Sequence, residues 1–281
     1  MREDTGLPGW VKRFRTLRRT AAGQRGAWVG DDLAVFGVRF PNGNRARAVR
    51  VGPGATTAAT VAALALPRPR PLVVLNGGTG ELSTELVGAL RPLLADGLAG
   101  MVAAEEVTVL SGGTDAGIFA ILGAGLAERP GRGCCVGVAP EELVTWPGRD
   151  GPPRDDAVSL EPHHSHFVLV EGSDWGAETA TMFALAATLS ADSPSVAVLA
   201  SGGAIARDEL RANLAQQRDV IVVAGSGRYA DELASAARGQ AERADQLTAA
   251  MGRDPHLTVM DLGEGRDALV GSLRRRLIST S

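Results

Sequence analysis

Lysine is nearly missing from this chain: Lys12 is the single one among 29 basic residues, and arginine supplies all the others. With 32 acidic residues the formal net charge is -3, so the positive excess that general nucleic-acid or anionic-membrane binding requires is absent. Aromatic residues make up only 4% of the sequence, which points to packing through small side chains. There are two cysteines, Cys134 and Cys135, adjacent in the strand-like CCVGV, where successive side chains point to opposite faces. They cannot form a disulfide framework and are expected as buried thiols of a reducing compartment. No stretch reaches the roughly 18 uninterrupted apolar residues that span a bilayer, because Gly, Arg and Asp interrupt every run. The basic VKRFRTLRR near the N-terminus lacks the apolar core of a secretion signal, so residues 1–27 read as a solvated, peripheral leader and a cytoplasmic location is expected.

Glycine, by contrast, is abundant, at 36 of 281 residues, alongside 44% hydrophobic residues. These values fit one large α/β domain over residues 28–281, with its motif core at 71–262. Leu33 to Phe40 and Arg45 to Val51 flank PNGN, a turn whose Asn and Gly accept positive φ, and predict an edge hairpin. From Pro71 onward, short apolar runs alternate with helix-compatible stretches at 81–104, 115–128, 176–189, 205–214 and 266–277. The segment 141–165, with four prolines, is too long and too broken for an ordinary connection and is either a lid or a surface excursion. Strands separated by helices of this length imply parallel pairing with right-handed crossovers. The expected fold is a Rossmann-like, doubly wound, mostly parallel sheet with helices on both faces.

Five apolar runs end in glycine-rich turns: NGGTG, SGGTDAG, EGSDWGAE, ASGGA and AGSGR. In an open parallel sheet such turns meet along one edge and direct helix N-termini into a shared crevice suited to an anion. Asn76, Gly77, Gly78, Thr79 and Gly80 allow close backbone approach to a phosphate, but no GK[ST] follows, so this is not an ATPase P-loop. Ser111, Gly112, Gly113 and Thr114 repeat that chemistry, and Asp115 is placed either to accept from a ribose hydroxyl or to cap its helix. Gly225, Ser226, Gly227 and Arg228 satisfy GxGxxA through Ala230, and Arg228 adds a cation able to fork onto a diphosphate. The acidic residue expected about 20 positions later at the next strand end is missing, Asp261 coming too late, which disfavours a nicotinamide dehydrogenase. Ser226 is not a nucleophile elbow, because Ala224 stands where GxSxG needs glycine. In GSDWGAE, Trp175 can stack a base or pack, while Gly176 and Glu178 open a helix whose dipole favours the carboxylate. His164 and His166 fall on one strand face, yet no further ligand completes a tetrahedral set, so no metal is expected.

The strings HSHFVLVEGSDWGAE, NGGTG, SGGTDAG, CCVGVAP, VAVLASGG and VIVVAGSGRYADEL, in this arrangement, resemble the cytosolic N-terminal domain of transient receptor potential melastatin (TRPM) channels. The similarity is greater to the stand-alone prokaryotic LSDAT-type module of the SLOG superfamily, which also includes Smf/DprA proteins and the Lonely Guy enzymes. The resemblance spans roughly Arg45 to Val270 and implies binding of a nucleotide or nucleotide derivative, with ADP-ribose-type ligands one class. It places the turns at Gly77 and Gly78, Ser111 to Thr114, His164 to Phe167, Gly176 to Glu178, and Gly225 to Arg228 around the pocket. Lonely Guy enzymes carry PGGxGTxxE; aligned on GSDWGAETA, that motif finds Ala180 where its glutamate belongs. Binding or sensing of a small nucleotide-type ligand is therefore the leading expectation, with no other cofactor required. The alternatives are an N-glycosidase or phosphoribohydrolase using Glu178 as its base, and a non-catalytic assembly scaffold. A homo-oligomer or an effector protein is left open as a partner.

Overall fold

The computed structural model describes residues 27–28, 32–67, 70–129, 133–241 and 244–278. Apart from Ala27, the expected basic leader lies outside the described residues. The strands are β1 (Ala27–Trp28), β2 (Leu33–Arg39), β3 (Arg45–Val51), β4 (Leu72–Gly77), β5 (Thr108–Ser111), β6 (Cys134–Pro140), β7 (Val144–Thr145), β8 (Val158–Ser159), β9 (His166–Val170), β10 (Ser195–Ala200), β11 (Asp219–Ala224) and β12 (Leu257–Asp261). Ten of them form one sheet in the order β1-β2-β3-β9-β6-β5-β4-β10-β11-β12. The β2–β3 hairpin is antiparallel, with β1 added outside it, and every pairing from β3 onward is parallel.

The stretch β6-β5-β4-β10-β11-β12 has the 3-2-1-4-5-6 order of a doubly wound fold. Chain direction across the sheet reverses between β4 and β10, where Leu199 pairs with Asn76 and Ala200 with Gly77. Because these strands are covered on both faces, they read as continuous apolar runs without alternation. On one face Leu72, Val74, Leu110, Val136 and Leu199 pack against Leu64, Met182, Phe183, Leu210 and Leu233. On the other, Val73, Leu75, Val109, Cys135 and Val198 pack against Leu90, Leu94, Leu98, Leu122, Leu269 and Leu273. Both cysteines are free and buried, and burial pushes both thiols above their ordinary range.

The helix expected over 81–104 begins at Thr84, where the Ser83 hydroxyl accepts from the Leu86 N–H at 3.2 Å. Pro92 cannot donate to the helical ladder, and the chain answers with a π-helical stretch, Pro92–Leu98, before resuming as Ala99–Ala104. Thr84–Ala104 is long and apolar enough to cross a membrane by length and composition. Its Leu90, Leu93, Leu94, Leu98, Met101 and Val102 are buried in the second core, as in an internal helix of a globular domain.

The helix expected from Asp115 starts at Gly117, because the Asp115 N–H is held by the Ser159 carbonyl and Thr114 bridges to Leu160. Asp115 therefore does not cap it; Ala116 holds that position with no side-chain bond. The helix expected from Gly176 starts at Thr179, and the short helices Thr57–Leu64 and Gln246–Met251 lie in stretches too brief to show periodicity. The segment 141–165 is not an unattached lid. It carries β7 and β8, buries Trp146 and Leu160 against Phe36, Val38 and Phe167, and is pinned by Asn44, whose amide donates to the Pro162 and His164 carbonyls.

Two glycine substitutions separate packing from propensity. A Cβ on Gly125 would lie 2.2 Å from the Ala95 carbonyl oxygen, whereas one on Gly88 meets nothing within 4 Å. Gly125→Ala should lose about 1–3 kcal/mol in urea unfolding, and Gly88→Ala should gain roughly 0.5–1 kcal/mol.

Candidate functional site

The reversal between β4 and β10 brings three turns into contact through backbone atoms. Gly77 sits at φ +156°, and a Cβ there would be 2.0 Å from the Ala200 carbonyl oxygen and 2.5 Å from Ile118 Cδ1. Gly117, at φ +52°, leaves 2.1 Å between an added Cβ and the Gly78 carbonyl oxygen, which accepts from the Ile118 N–H at 3.2 Å. At the β10 exit Ser201 holds a left-handed φ of 58°, and its buried Oγ has no hydrogen-bond partner among the described residues.

The helix Ala204–Ala215 starts there with Gly203 at its N-cap and no side-chain cap. Its first backbone bond is Arg207 to the Gly203 carbonyl, leaving the N–H groups of Ala204, Ile205 and Ala206 to solvent or a ligand. The helix Arg228–Ala237 differs. Its Tyr229 and Ala230 N–H groups donate to the Gly202 and Ser201 carbonyls at 3.3 and 3.0 Å. Ser226 is also consumed: its hydroxyl accepts from the Ser201 N–H and donates to the Val223 carbonyl, at 2.8 and 2.6 Å. What the GSGR turn offers is the Arg228 side chain, on a residue held at φ 54°. Its two terminal nitrogens lie 2.7 Å from a Cβ added to Gly80 and 3.2 Å from one added to Gly203. The guanidinium thus bridges the β4 and β10 exits, and it has no carboxylate partner among the described residues. A side chain at either glycine would displace it.

Two buried carboxyl groups adjoin the same strand exit. Asn76 is buried, and its Nδ2 donates to Glu209 Oε2 at 3.1 Å. Burial pushes the Glu209 carboxyl up to about 8, with the Asn76 bond opposing and the neighbouring Glu178 charge adding to the rise. Glu178, at the N-cap of its helix and buried, accepts from the Gly176 N–H at 2.8 Å and is itself raised by burial against that bond. The DWG turn stands beside the open helix end: Trp175 is 41% exposed, and Gly176, at φ +100°, faces Ile205.

Other residues expected at the pocket lie elsewhere. Ser111 and His164 are fully buried, with Ser111 Oγ 2.9 Å from His164 Nε2 and His164 Nδ1 2.6 Å from Glu161 Oε2. Glu161 also engages His163 at 2.8 Å, so the histidine cluster does have a carboxylate partner, supplied by the proline-rich segment. Burial opposes ionisation of Glu161, but its bonds to His164 and His163 hold the carboxyl below its ordinary value. Gly113 packs on Gly137, Gly112 faces Phe119, and Thr114 is buried. The exposed Asp115 has its carboxyl raised, first by partial desolvation and then by the Glu161 charge. His166 is pushed down to about 4 by burial and by Arg47, leaving a neutral ring bonded to Ser165. The SGGT and HSH segments thus fasten the excursion to the sheet, and only Gly117 of that turn reaches the switch point. Among the described residues no group of three or more His, Cys, Asp or Glu is placed to hold a metal ion.

From the sequence, ASGGA stands among the turns at the crevice but Ser201, Gly202 and Gly203 receive no role there, and Glu209 is missed, though a signal is present. SGGAIARDE places Gly202, Gly203 and Glu209 at the spacing of GG and E in PGGxGTxxE, with Ile205 and Ala206 replacing its Gly and Thr. In GSDWGAETA the same position is Ala180. A concavity of about 350 Å³ opens instead between the β3 and β9 exits, lined by Gly52, Pro53, Thr57, Glu171 and Thr181. Its charged wall is a carboxylate, which suits an anion less well than the Arg228 crevice does.

The family described as SLOG in TRPM, prokaryote, matches residues 70–270. No curated protein matches the chain.

The raised Glu209 carboxyl has a thermodynamic consequence. A carboxyl that holds its proton to about 8 when folded, against 4.5 ordinarily, makes the native state bind more protons than the unfolded chain between those values. Stability from this group is therefore full below about pH 4.5 and is lost as pH rises toward 8. Glu209→Gln keeps the Asn76 bond and removes the titration. Urea unfolding should show the variant gaining on the wild type by on the order of a few kcal/mol between pH 5 and 8, with no further gain above.

Proposed function

We propose that this chain, which belongs to the prokaryotic SLOG-in-TRPM family, binds a nucleotide or nucleotide derivative, of the ADP-ribose or nucleoside-phosphate kind, at the β4/β10 switch point. One observation carries this reading: an uncapped helix N-terminus, Ala204–Ala206, faced by the Arg228 guanidinium with no carboxylate of its own. Free N–H groups at a helix start, a positive dipole end and a forked cation together favour a phosphate. The Ser201 hydroxyl, buried and unpartnered, supplies a further donor, and Thr79 on the opposite turn is exposed. Trp175 and Ile205 give the rim an apolar edge on which a base can rest. Glu178 lies at the N-cap just beyond Trp175 and Gly176, suited to accept from ribose hydroxyls.

Isothermal titration with ADP-ribose, ATP, NAD and nucleoside monophosphates tests this. At least one ligand should bind, and Arg228→Ala should weaken it by about 1.5–3 kcal/mol while Ser201→Ala costs roughly 0.5–1.5 kcal/mol. Arg149→Ala, remote from the crevice on Trp146, should leave affinity unchanged. Absence of heat with every ligand, or full affinity in Arg228→Ala, would sink the reading.

A second reading rests on Glu209. A carboxyl still protonated near neutral pH, at the glutamate position of the PGGxGTxxE spacing, is suited to give its proton to a departing base as water attacks the N-glycosidic carbon. Glu178 is the neighbouring carboxyl that can take the water's proton. Chromatography of nucleoside monophosphates after incubation should then show free base and ribose phosphate, lost in Glu209→Gln and in Glu178→Gln. Unchanged substrate with the wild type would leave binding alone.

A further inference from the structure

We infer that Arg218 is a positioning residue for Glu209: acting through Asn213 and Asn76, it forces a hydrogen-bond donor against Glu209 Oε2 and so confines the carboxyl proton to Oε1. Arg218 is 4% exposed and has no carboxylate partner in the relay; its NH1 donates to Asn213 Oδ1 at 2.8 Å and its Nε to Ser195 Oγ at 3.1 Å. A guanidinium can only donate, so Asn213 must turn its oxygen toward Arg218. The Asn213 amide nitrogen then faces the other way, donating to Asn76 Oδ1 at 2.7 Å and to the Glu209 carbonyl at 3.1 Å. Asn76 in turn has its oxygen occupied and presents Nδ2 to Glu209 Oε2 at 3.1 Å. Every link runs in one direction, from Arg218, the residue before β11, to the Glu209 carboxyl.

Asn76 alone could present oxygen or nitrogen, whereas Asn213 is oriented from both ends, by the donor-only Arg218 and by the Glu209 carbonyl that accepts from its amide nitrogen. With Oδ1 of Asn76 against the carboxyl, Glu209 would instead donate its proton to Asn76. The donor-only end of the relay excludes that arrangement. Burying a guanidinium among neutral partners is costly, and burial lowers Arg218 to about 10; a neutral side chain would hold Ser190, Ser195 and Asn213 without that cost but would not set the polarity. Around Glu209 the other titratable neighbour is Glu178, while Arg207 on the same helix is held by Asp245 and Asp208 and Arg211 are exposed.

This inference rests on Glu209 belonging to the proposed site, but its test uses the ligand-free protein, so it fails or survives independently of ligand binding and turnover. The Glu209 carboxyl is titrated by carbon-13 NMR in the full chain, assigned by its loss in Glu209→Gln. A donor on Oε2 favours the ionised form, so Arg218→Met should raise the midpoint by about one pH unit, and Asn213→Leu, which retains the Arg218 charge, should raise it similarly. In an Asn76→Ala background, where the relay is already cut, Arg218→Met should have no effect. An unchanged midpoint in Asn213→Leu, or an equal shift by Arg218→Met in both backgrounds, as a through-space charge would give, overturns the proposal.

Discussion

The carbonyl oxygen of Ala200 occupies the space that a side chain on Gly77 would need, and most of the site's geometry follows from that contact. β4 and β10 pair in parallel up to this point, and the chain leaves them in opposite directions across the sheet. Their exits can stand side by side only if both are nearly bare backbone, which is why Gly77, Gly78, Gly80, Gly117, Gly202 and Gly203 gather there. Bare backbone in turn leaves room for one long cationic side chain to reach across, and Arg228 takes it. The left-handed conformations at Ser201 and Arg228 are strained for non-glycine residues. Both residues sit at the crevice, where strain aims a hydroxyl and a guanidinium rather than improving packing.

The crevice combines two electrostatic layers. One is positive, from an open helix end and an unpaired guanidinium; the other is acidic, from the neighbouring buried Glu178 and Glu209. These layers do not cancel, because burial holds the proton on Glu209 near neutral pH and raises Glu178 as well. A phosphate can therefore approach the open helix end without meeting two full negative charges beside it. The same condition makes a binding site and a hydrolytic site differ little in structure: a neutral carboxyl is a hydrogen-bond donor to a bound nucleotide and equally a proton source for a leaving base.

Much of the fold was legible because each βα unit advertises itself: runs such as Leu72 to Leu75 and Val220 to Val223 are apolar throughout and stop at glycine. Family resemblance was legible from the order of the same junctions. The site was less so. Sequence spacing shows that a turn follows a strand, not which way the turn folds, and the SGGT turn folds down onto Gly137 beneath Leu160 instead of opening to the crevice. His164 and Ser111 went with it, joined by Glu161 from a proline-rich segment that gave no sign of packing. The GSGR turn looked like a phosphate loop but spends its helix N–H groups on the Ser201 and Gly202 carbonyls. Glu209, six residues after Gly203, lies inside the helix Ala204–Ala215, where a glutamate ordinarily reads as a solvated surface residue.

The proposed site requires a phosphate at the open helix end, Ala204–Ala206. The most direct measurement is an amide NMR titration of the full chain with ADP-ribose or a nucleoside monophosphate. The N–H resonances of Ala204, Ile205 and Ala206 should move most, since those groups are free in the ligand-free protein, while Tyr229 and Ala230, already bonded to backbone carbonyls, move little. Saturable shifts confined to the Gly52, Thr57 and Glu171 concavity, or to the Ser111 turn, with Ala204 to Ala206 unmoved, would contradict it.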